Sequence, residues 1–458
     1  MGPRQGKAGA DVSVAYENLF RGLLFPVYES GMRRRRTLQY LHEYERNQWL
    51  DPEQIRAMQW SKLKVLIDHC WENVPYYRER WQQLGVEPGD IRSMDDYALL
   101  PVLEKADIRA NFERMVARGW RRKILFKTTG GSTGEPLRFG YTRESYERRV
   151  AVMFRGYGWA GARLGQRTLY LWGQSSGRRS MKDLLHQVAF HRRTLNAFAM
   201  SESRMPEYAA FIDRYRPEVI VSYIAPIVKL AEWVMATGHR IHRPSLVLGA
   251  AESLHEAQRE VIERAFGCPA YNTYGCREFM LVAAECKHRN GLHVNADHLA
   301  VELGAGLTGA ASDGARDVIV TDLHNFGMPL LRYANGDLAT EGAGRCDCGR
   351  GLPLLSRIDG RKLDALRTPD GRFLPGEFIV YAFLKISGVD RYQVVQRELG
   401  VLDVNVVRAP GFDESEMEGV VRELESRFGQ ATAIRVHYVD EIKLTPTGKH
   451  RVTISELQ

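Results

Sequence analysis

The sequence predicts an α/β protein in which a large N-terminal domain, helical at its start and then built on buried sheets, is followed by a small α+β domain. Three observations carry this. At 458 residues the chain exceeds what one hydrophobic core usually serves. From about residue 120, short β-branched runs at Thr168 to Trp172, Val219 to Ile224, Leu246 to Leu248 and Val318 to Thr321 alternate with helix-length segments. Such alternation marks a largely buried sheet that places its ligands in loops at strand ends. After about Arg361 the pattern changes, so the division falls between 1–360 and 361–458.

The first hundred residues read as helical. Asp51, Pro52 and Gln54 form an N-terminal capping pattern, and Leu63, Leu66, Ile67 and Cys70 recur at helical spacing. Tyr76, Tyr77 and Trp81 follow Pro75 and are expected to pack in the core at the exit of that helix. In the last hundred, Tyr392 to Arg397 and Leu402 to Val407 alternate as strands. Ser415 to Glu418 is expected to cap a helix that buries Met417, Val420, Val421, Leu424 and Phe428 and stops at Gly429; Ala433 to Val439 follows as a strand.

Composition excludes several classes. The 44% hydrophobic content suits ordinary cores, and no stretch approaches the roughly 18 uninterrupted apolar residues of a membrane span. The best candidate, Leu19 to Tyr28, is interrupted by Arg21 and Pro26, and no signal-peptide layout precedes it, so a cytoplasmic protein is expected. The net charge of +8 comes from 64 basic residues interspersed with 56 acidic ones, and no nucleic-acid motif is present. One dense run, Arg33 to Arg36, lies beside Phe25, Tyr28, Leu38 and Tyr40. It reads as a solvated basic segment, with contact to an anionic membrane surface as the alternative.

Six cysteines in a chain of this length do not make a secreted disulfide framework. Cys346-Asp-Cys348 and, some fifty residues upstream, Cys286 with His288 and His293 offer the donors of a closed tetrahedral zinc site. With no position left for water, its role would be structural. Cys70, Cys268 and Cys276 read as small buried hydrophobes.

The strongest chemical signal is Lys127-Thr-Thr-Gly-Gly-Ser-Thr-Gly-Glu-Pro136. Gly130, Gly131 and Gly134 let a backbone fold around phosphate oxygens and present its N–H groups, and Thr128, Thr129, Ser132 and Thr133 add hydroxyl donors. No Gly-Lys-Ser/Thr closes it, so it is not a Walker loop. Four further segments follow in order: Gly249-Ala-Ala-Glu252, Tyr271-Asn-Thr-Tyr-Gly-Cys-Arg-Glu278, Arg332-Tyr-Ala-Asn-Gly-Asp337 and Leu444-Thr-Pro-Thr-Gly-Lys449.

Taken together these motifs resemble the adenylate-forming superfamily, in the form found in phenylacetate-CoA ligases and their capsular-polysaccharide-cluster relatives. The segment Leu100 to Arg109 is similar to the lead into the phosphate loop of that branch. The resemblance implies an ATP-dependent ligase that joins a small carboxylic acid to AMP and then to coenzyme A, with a relative that passes the acyl or adenylyl group to another acceptor as the alternative. A nucleotide-binding protein without turnover is a third reading, opposed by the presence of Lys449 and Glu278. The resemblance gives Tyr274, with Asn272 and Thr273, a place beside the adenine, Glu278 the Mg²⁺, and Asp337 the ribose hydroxyls, and it counts Arg361 among the nucleotide residues. Gly249, Ala250 and Glu252 are expected to line the nucleotide, while Tyr223, Ala225, Ala251 and Gly275 are expected to line the acyl pocket. Thr129, Glu278 and Lys449 are the expected catalytic groups, Lys449 stabilising charge as it develops at the carboxylate and α-phosphate. Ile358 to Asp364 matches the hinge between domains through Gly360 and Arg361, but Leu363 stands where that family carries a polar residue, and Asp364 follows it. The resemblance favours His293 over His288 as the fourth zinc ligand. A homodimer is also carried as an expectation.

Overall fold

Asp51 starts the 22-residue helix Pro52–Asn73 through a reciprocal capping box with Gln54, as its sequence demands. Leu63, Leu66, Ile67 and Cys70 lie on its buried face. Tyr76, Tyr77 and Trp81 are buried too, but on a second helix, Pro75–Gln83, which Pro75 opens rather than ends. These features belong to a computed structural model that describes residues 15–129, 137–173, 187–304, 314–361, 366–370, 373, 374, 379, 382, 383, 386–429, 431–444 and 450–457.

A hairpin of β1 (Ile124–Thr128) and β2 (Arg138–Thr142) stands apart from the main sheet. The main sheet is eleven-stranded. Its parallel half contains β3 (Thr168–Trp172), β4 (Arg192–Asn196), β5 (Val219–Tyr223) and β6 (Leu246–Ala250), and meets the other half at β7 (Ala270–Cys276). The antiparallel half adds β8 (Met280–Glu285), β9 (Leu292–Val294), β10 (Leu299–Leu303), β11 (Ala315–Asp322), β12 (Tyr333–Glu341) and β13 (Leu354–Arg361). The spatial order is β10-β11-β12-β13-β9-β8-β7-β6-β5-β3-β4. Strand β5 ends one residue earlier than its sequence suggests, because Ile224 already opens the helix Ile224–Thr237.

The helix Arg143–Ala160 packs on β8 so closely that a Cβ at Gly156 would lie 2.2 Å from Leu281 Cδ2. The same helix carries two buried ion pairs, Arg149 to Asp322 at 2.7 Å and Arg155 to Asp297 at 2.6 Å. A buried pair of this kind fixes register more than it adds stability, since desolvation offsets the attraction.

Beyond the main sheet, β14 (Leu366–Arg367) pairs with β15 (Phe373–Leu374). A four-stranded sheet then forms from β16 (Val389–Gln396), β17 (Val401–Arg408), β18 (Ala433–Tyr438) and β19 (Thr453–Ser455), in the order β18-β17-β16-β19. The helix Glu414–Phe428 covers it with Met417, Val420, Leu424 and Phe428, while Val421 is half-buried. Its cap is Asp413, which accepts the Ser415 N–H, rather than Ser415 itself. Lys229 on the helix Ile224–Thr237 reaches this small unit through a 2.8 Å ion pair to Asp390.

Candidate active site and metal cluster

Two of the expected nucleotide residues are brought into direct contact. Tyr274 on β7 donates to Asp337 Oδ2 on β12 at 2.8 Å. Asn335 donates through one amide nitrogen to both Tyr274 Oη and Asp337 Oδ2, at 2.7 and 2.8 Å, and its own oxygen accepts the Asp337 N–H. Gly336 permits this turn-back with φ of +87°. Arg361, opposite Asp337 in the β12–β13 register, holds the other carboxylate oxygen at 3.4 Å. Burial, then the adjacent Asp337 carboxylate, push the Tyr274 phenol well up, so it stays a donor.

Strand β7 bulges at Gly275, where a Cβ would lie 2.0 Å from Met280 O, so no side chain fits. Beyond it, Glu278 is buried and accepts a 3.1 Å hydrogen bond from Tyr333, the first residue of β12. Arg277 donates to the Thr128 carbonyl at 2.7 Å, joining this turn to the hairpin tip. Thr129 holds the far side: its N–H bonds Leu137 O at 2.8 Å and its hydroxyl accepts the Leu137 N–H at 3.0 Å. The hairpin base is clamped by Asn325, which accepts from the Thr142 N–H and donates to Gly140 O. Gly130, Gly131, Ser132, Thr133, Gly134, Leu363, Asp364 and Lys449 lie outside the described residues.

The lead segment is fastened to the same place. Leu103 and Tyr333 form a parallel bridge, and Arg332 donates to Leu100 O while pairing with Glu302 at 3.0 Å.

At the ends of the parallel strands, Tyr223 stacks on Trp172 with ring centroids 4.4 Å apart. Gly249 accepts the Thr273 hydroxyl at 2.7 Å, and a Cβ there would strike Ile224 Cδ1 at 2.4 Å. Ala250 closes β6, and Ala251 turns away from it with φ of +66°, a left-handed conformation uncommon for any residue but glycine. Glu252 accepts the Ala225 N–H at 2.8 Å, which puts its carboxylate at the positive end of the helix Ile224–Thr237. The Asn272 N–H goes to Glu285, itself paired with Arg259 at 2.8 Å. Trp172, Arg277, Tyr333 and Asn335 were not singled out by sequence. The last three lie inside the motifs, and Trp172 ends a strand that the β-branched pattern marks.

A second cluster gathers Cys286 after β8, His293 on β9, and Cys346 and Cys348 between β12 and β13. Their ligating atoms all lie within 4.8 Å of one another. Cys286 and Cys346 sulfurs are 3.6 Å apart, and Cys348 Sγ is 3.3 Å from His293 Nε2. A zinc tetrahedron has S···S edges of about 3.8 Å and S···N edges of about 3.5 Å from its bond lengths, so the donor set fits. Burial, with Arg350 adding to it, pushes the His293 imidazole down to about 4, leaving it neutral as a ligand must be. Burial pushes the Cys286 thiol up to about 12. Burial also raises Cys348, but hydrogen bonds from Arg350 outweigh it and the thiol sits below its ordinary value. His288 contributes only its backbone N–H, to Cys286 Sγ at 3.4 Å. Cys70 and Cys268 are buried and Cys276 half-buried, and burial raises all three thiols.

No helix of the described residues is long and apolar enough to cross a membrane. Residues 366–456 match the family model of the CapK C-terminal domain. The chain is 29% identical over 409 residues to a phenylacetate-coenzyme A ligase of Thermus thermophilus, covering 86% of this chain and 91% of that protein. It is 22% identical to Protein CapK of Staphylococcus aureus, covering 97% and 98%. Among solved structures, 2-hydroxyisobutyryl-CoA ligase in its postadenylation state superposes with a TM-score of 0.72 at 18% identity, covering 90% of this chain and 92% of that one. The chain is a homologue of the phenylacetate-CoA ligases and of CapK, built on the fold of the adenylate-forming CoA ligases.

Proposed function

We propose that this protein activates a small carboxylic acid with ATP and transfers the acyl group to coenzyme A. The observation that carries the reading is the Tyr274–Asn335–Asp337 triangle, which sets an aromatic ring beside a carboxylate whose Oδ1, 3.4 Å from Arg361, keeps acceptor capacity for ribose hydroxyls. In the first half-reaction an oxygen of the acid attacks the α-phosphorus, the α–β bridging bond breaks, and pyrophosphate leaves. In the second, the thiol sulfur attacks the carbonyl carbon, AMP leaves, and the thiol proton passes to solvent. Neither step needs a protein nucleophile; both need positioning and charge stabilisation.

Thr128 and Thr129, with residues 130–134, would grip the phosphates. Glu278, buried and oriented by Tyr333, would hold Mg²⁺, which neutralises phosphate charge. Lys449 would meet the charge that develops between acid and α-phosphate. Trp172 and Tyr223 would form an aromatic wall for the acyl group beside Ala225, Ala251 and Gly275, a surface suited to an aryl or short acyl acid. Cys286, His293, Cys346 and Cys348 would hold one structural Zn²⁺. A cytoplasmic location accords with a small-molecule ligase, and residues 361–458 are assigned as the lid.

A second reading, in which the activated group goes to an acceptor other than coenzyme A, rests on Leu363 at the hinge position where the ligase family carries a polar residue. ATP–pyrophosphate exchange across aryl, short-chain and amino acids tests both. Acid-dependent exchange with CoA-dependent AMP release supports the thioester reading. Exchange without any CoA effect supports the other acceptor, and absence of exchange with every acid refutes both.

A further inference from the structure

The N-terminal helical segment exposes a stripe that the activation chemistry does not use. Phe20–Leu24 and Val27–Met32 wind as π-helical turns, with Phe25 N bonded to Phe20 O and Arg33 N to Tyr28 O. Leu19, Leu23, Leu24, Val27 and Met32 are all 40% to 74% exposed. Phe20, Phe25 and Glu29 are buried. Phe20 and Phe25 fasten the segment through edge-on contacts to Phe190 and Phe154, at 5.2 and 5.7 Å.

The charges are sorted as well. The only acids between residues 15 and 36 are Glu17 and Glu29. Both are turned inward, Glu17 to Arg163 at 2.9 Å and Glu29 to the Thr37 hydroxyl at 2.8 Å and to Arg35. Within residues 15–36 the exposed residues therefore include these apolar side chains with Arg21, Arg33, Arg34 and Arg36, and no carboxylate.

We propose that this face docks on an anionic phospholipid surface, with the leucines, Val27 and Met32 entering the headgroup boundary and the arginines pairing with lipid phosphates. A contiguous exposed apolar patch marks an interaction site. An apolar stripe flanked by arginines is the layout of a helix that lies in the bilayer interface. The absence of acid argues against a second copy, since a two-fold contact sets the same patch against itself and would oppose arginine with arginine.

The test is co-sedimentation of the whole protein with vesicles of phosphatidylcholine alone or containing about one-third phosphatidylglycerol, at low salt and at about 0.5 M. Binding to the anionic vesicles only, weakened by salt, is expected. Arg33→Gln with Arg34→Gln should weaken it about 25-fold, about fivefold for each arginine. Leu23→Asp with Val27→Asp should abolish it without changing the thermal melt, as both side chains are exposed. Failure to bind anionic vesicles, or binding indifferent to both double variants, overturns the proposal. So does light scattering that finds a dimer converted to monomer by Leu23→Asp with Val27→Asp, which would assign the face to a second copy.

Discussion

Tyr274 and Asp337 stand 63 residues apart in sequence and share a 2.8 Å hydrogen bond, drawn together because β7 and β12 belong to one sheet. A bond to a charged acceptor contributes about 1.5–3 kcal/mol. Tyr274→Phe should therefore cost stability of about that size, and by freeing Asp337 to turn it should also raise the KM for ATP in ATP–pyrophosphate exchange. An unchanged KM would mean that this triangle serves the sheet alone.

Glu278→Gln keeps the Tyr333 hydrogen bond and removes a charge. Exchange should fall at least about a hundredfold at ordinary Mg²⁺ and recover in part as Mg²⁺ is raised, because a carboxylate that holds the ion is replaced by a weaker oxygen. Lys449→Ala should lower exchange by about 10² to 10³ with no change in Mg²⁺ dependence, which separates the two roles.

Metal analysis of the purified protein should find about one zinc per chain, and Cys348→Ser should lose it. The loop between β12 and β13 would then be released, and the melting temperature should drop by about 5 °C or more. Full retention of stability without metal would make the cluster four reduced side chains and nothing else.

Gly275→Ala should be severe. Its Cβ would lie 2.0 Å from a backbone carbonyl, which cannot rotate away as a side chain can. A destabilisation of about 3 kcal/mol is expected by denaturant unfolding, together with loss of exchange.

His255 caps the helix Glu256–Phe266 by accepting a backbone N–H through its ring, and burial pushes it down to about 4. Its folded pKa is depressed, so the unfolded state binds the proton first. Its stabilising effect is full above about 6.5 and is lost as pH falls toward 4, with a slope approaching about 1.4 kcal/mol per pH unit. His298 and His324, also lowered by burial, add to the same slope. His255→Asn keeps a capping acceptor without a titrating ring, so its stability should fall less steeply over that range than that of the unaltered protein.

Much of this arrangement was legible in the sequence because short signals carry strong local physics. Asp51 with Gln54 announces a helix start, and the strand Thr168–Trp172 is marked residue for residue by its β-branched and aromatic run. The site motifs name their own loops for the same reason: glycines and hydroxyls at fixed offsets have few other uses. The Tyr274–Asn335 contact, the Trp172–Tyr223 stack and the buried Arg149–Asp322 pair were not legible. Each depends on which strands are neighbours, and strand order is a property of the whole chain rather than of any window. The helix cap at Asp413 was misplaced by two residues because Ser415 offers an equally good oxygen, and only backbone geometry chooses between them.

The β1–β2 hairpin is in mechanical terms a cantilever. Among the described residues Asn325 clamps its root, its two strands pair with each other, and Arg277 ties Thr128 to the turn after β7. Arg277 precedes Glu278 in the turn after β7, so the same contact couples the strand that leads into the glycine-rich segment to the turn proposed to hold Mg²⁺.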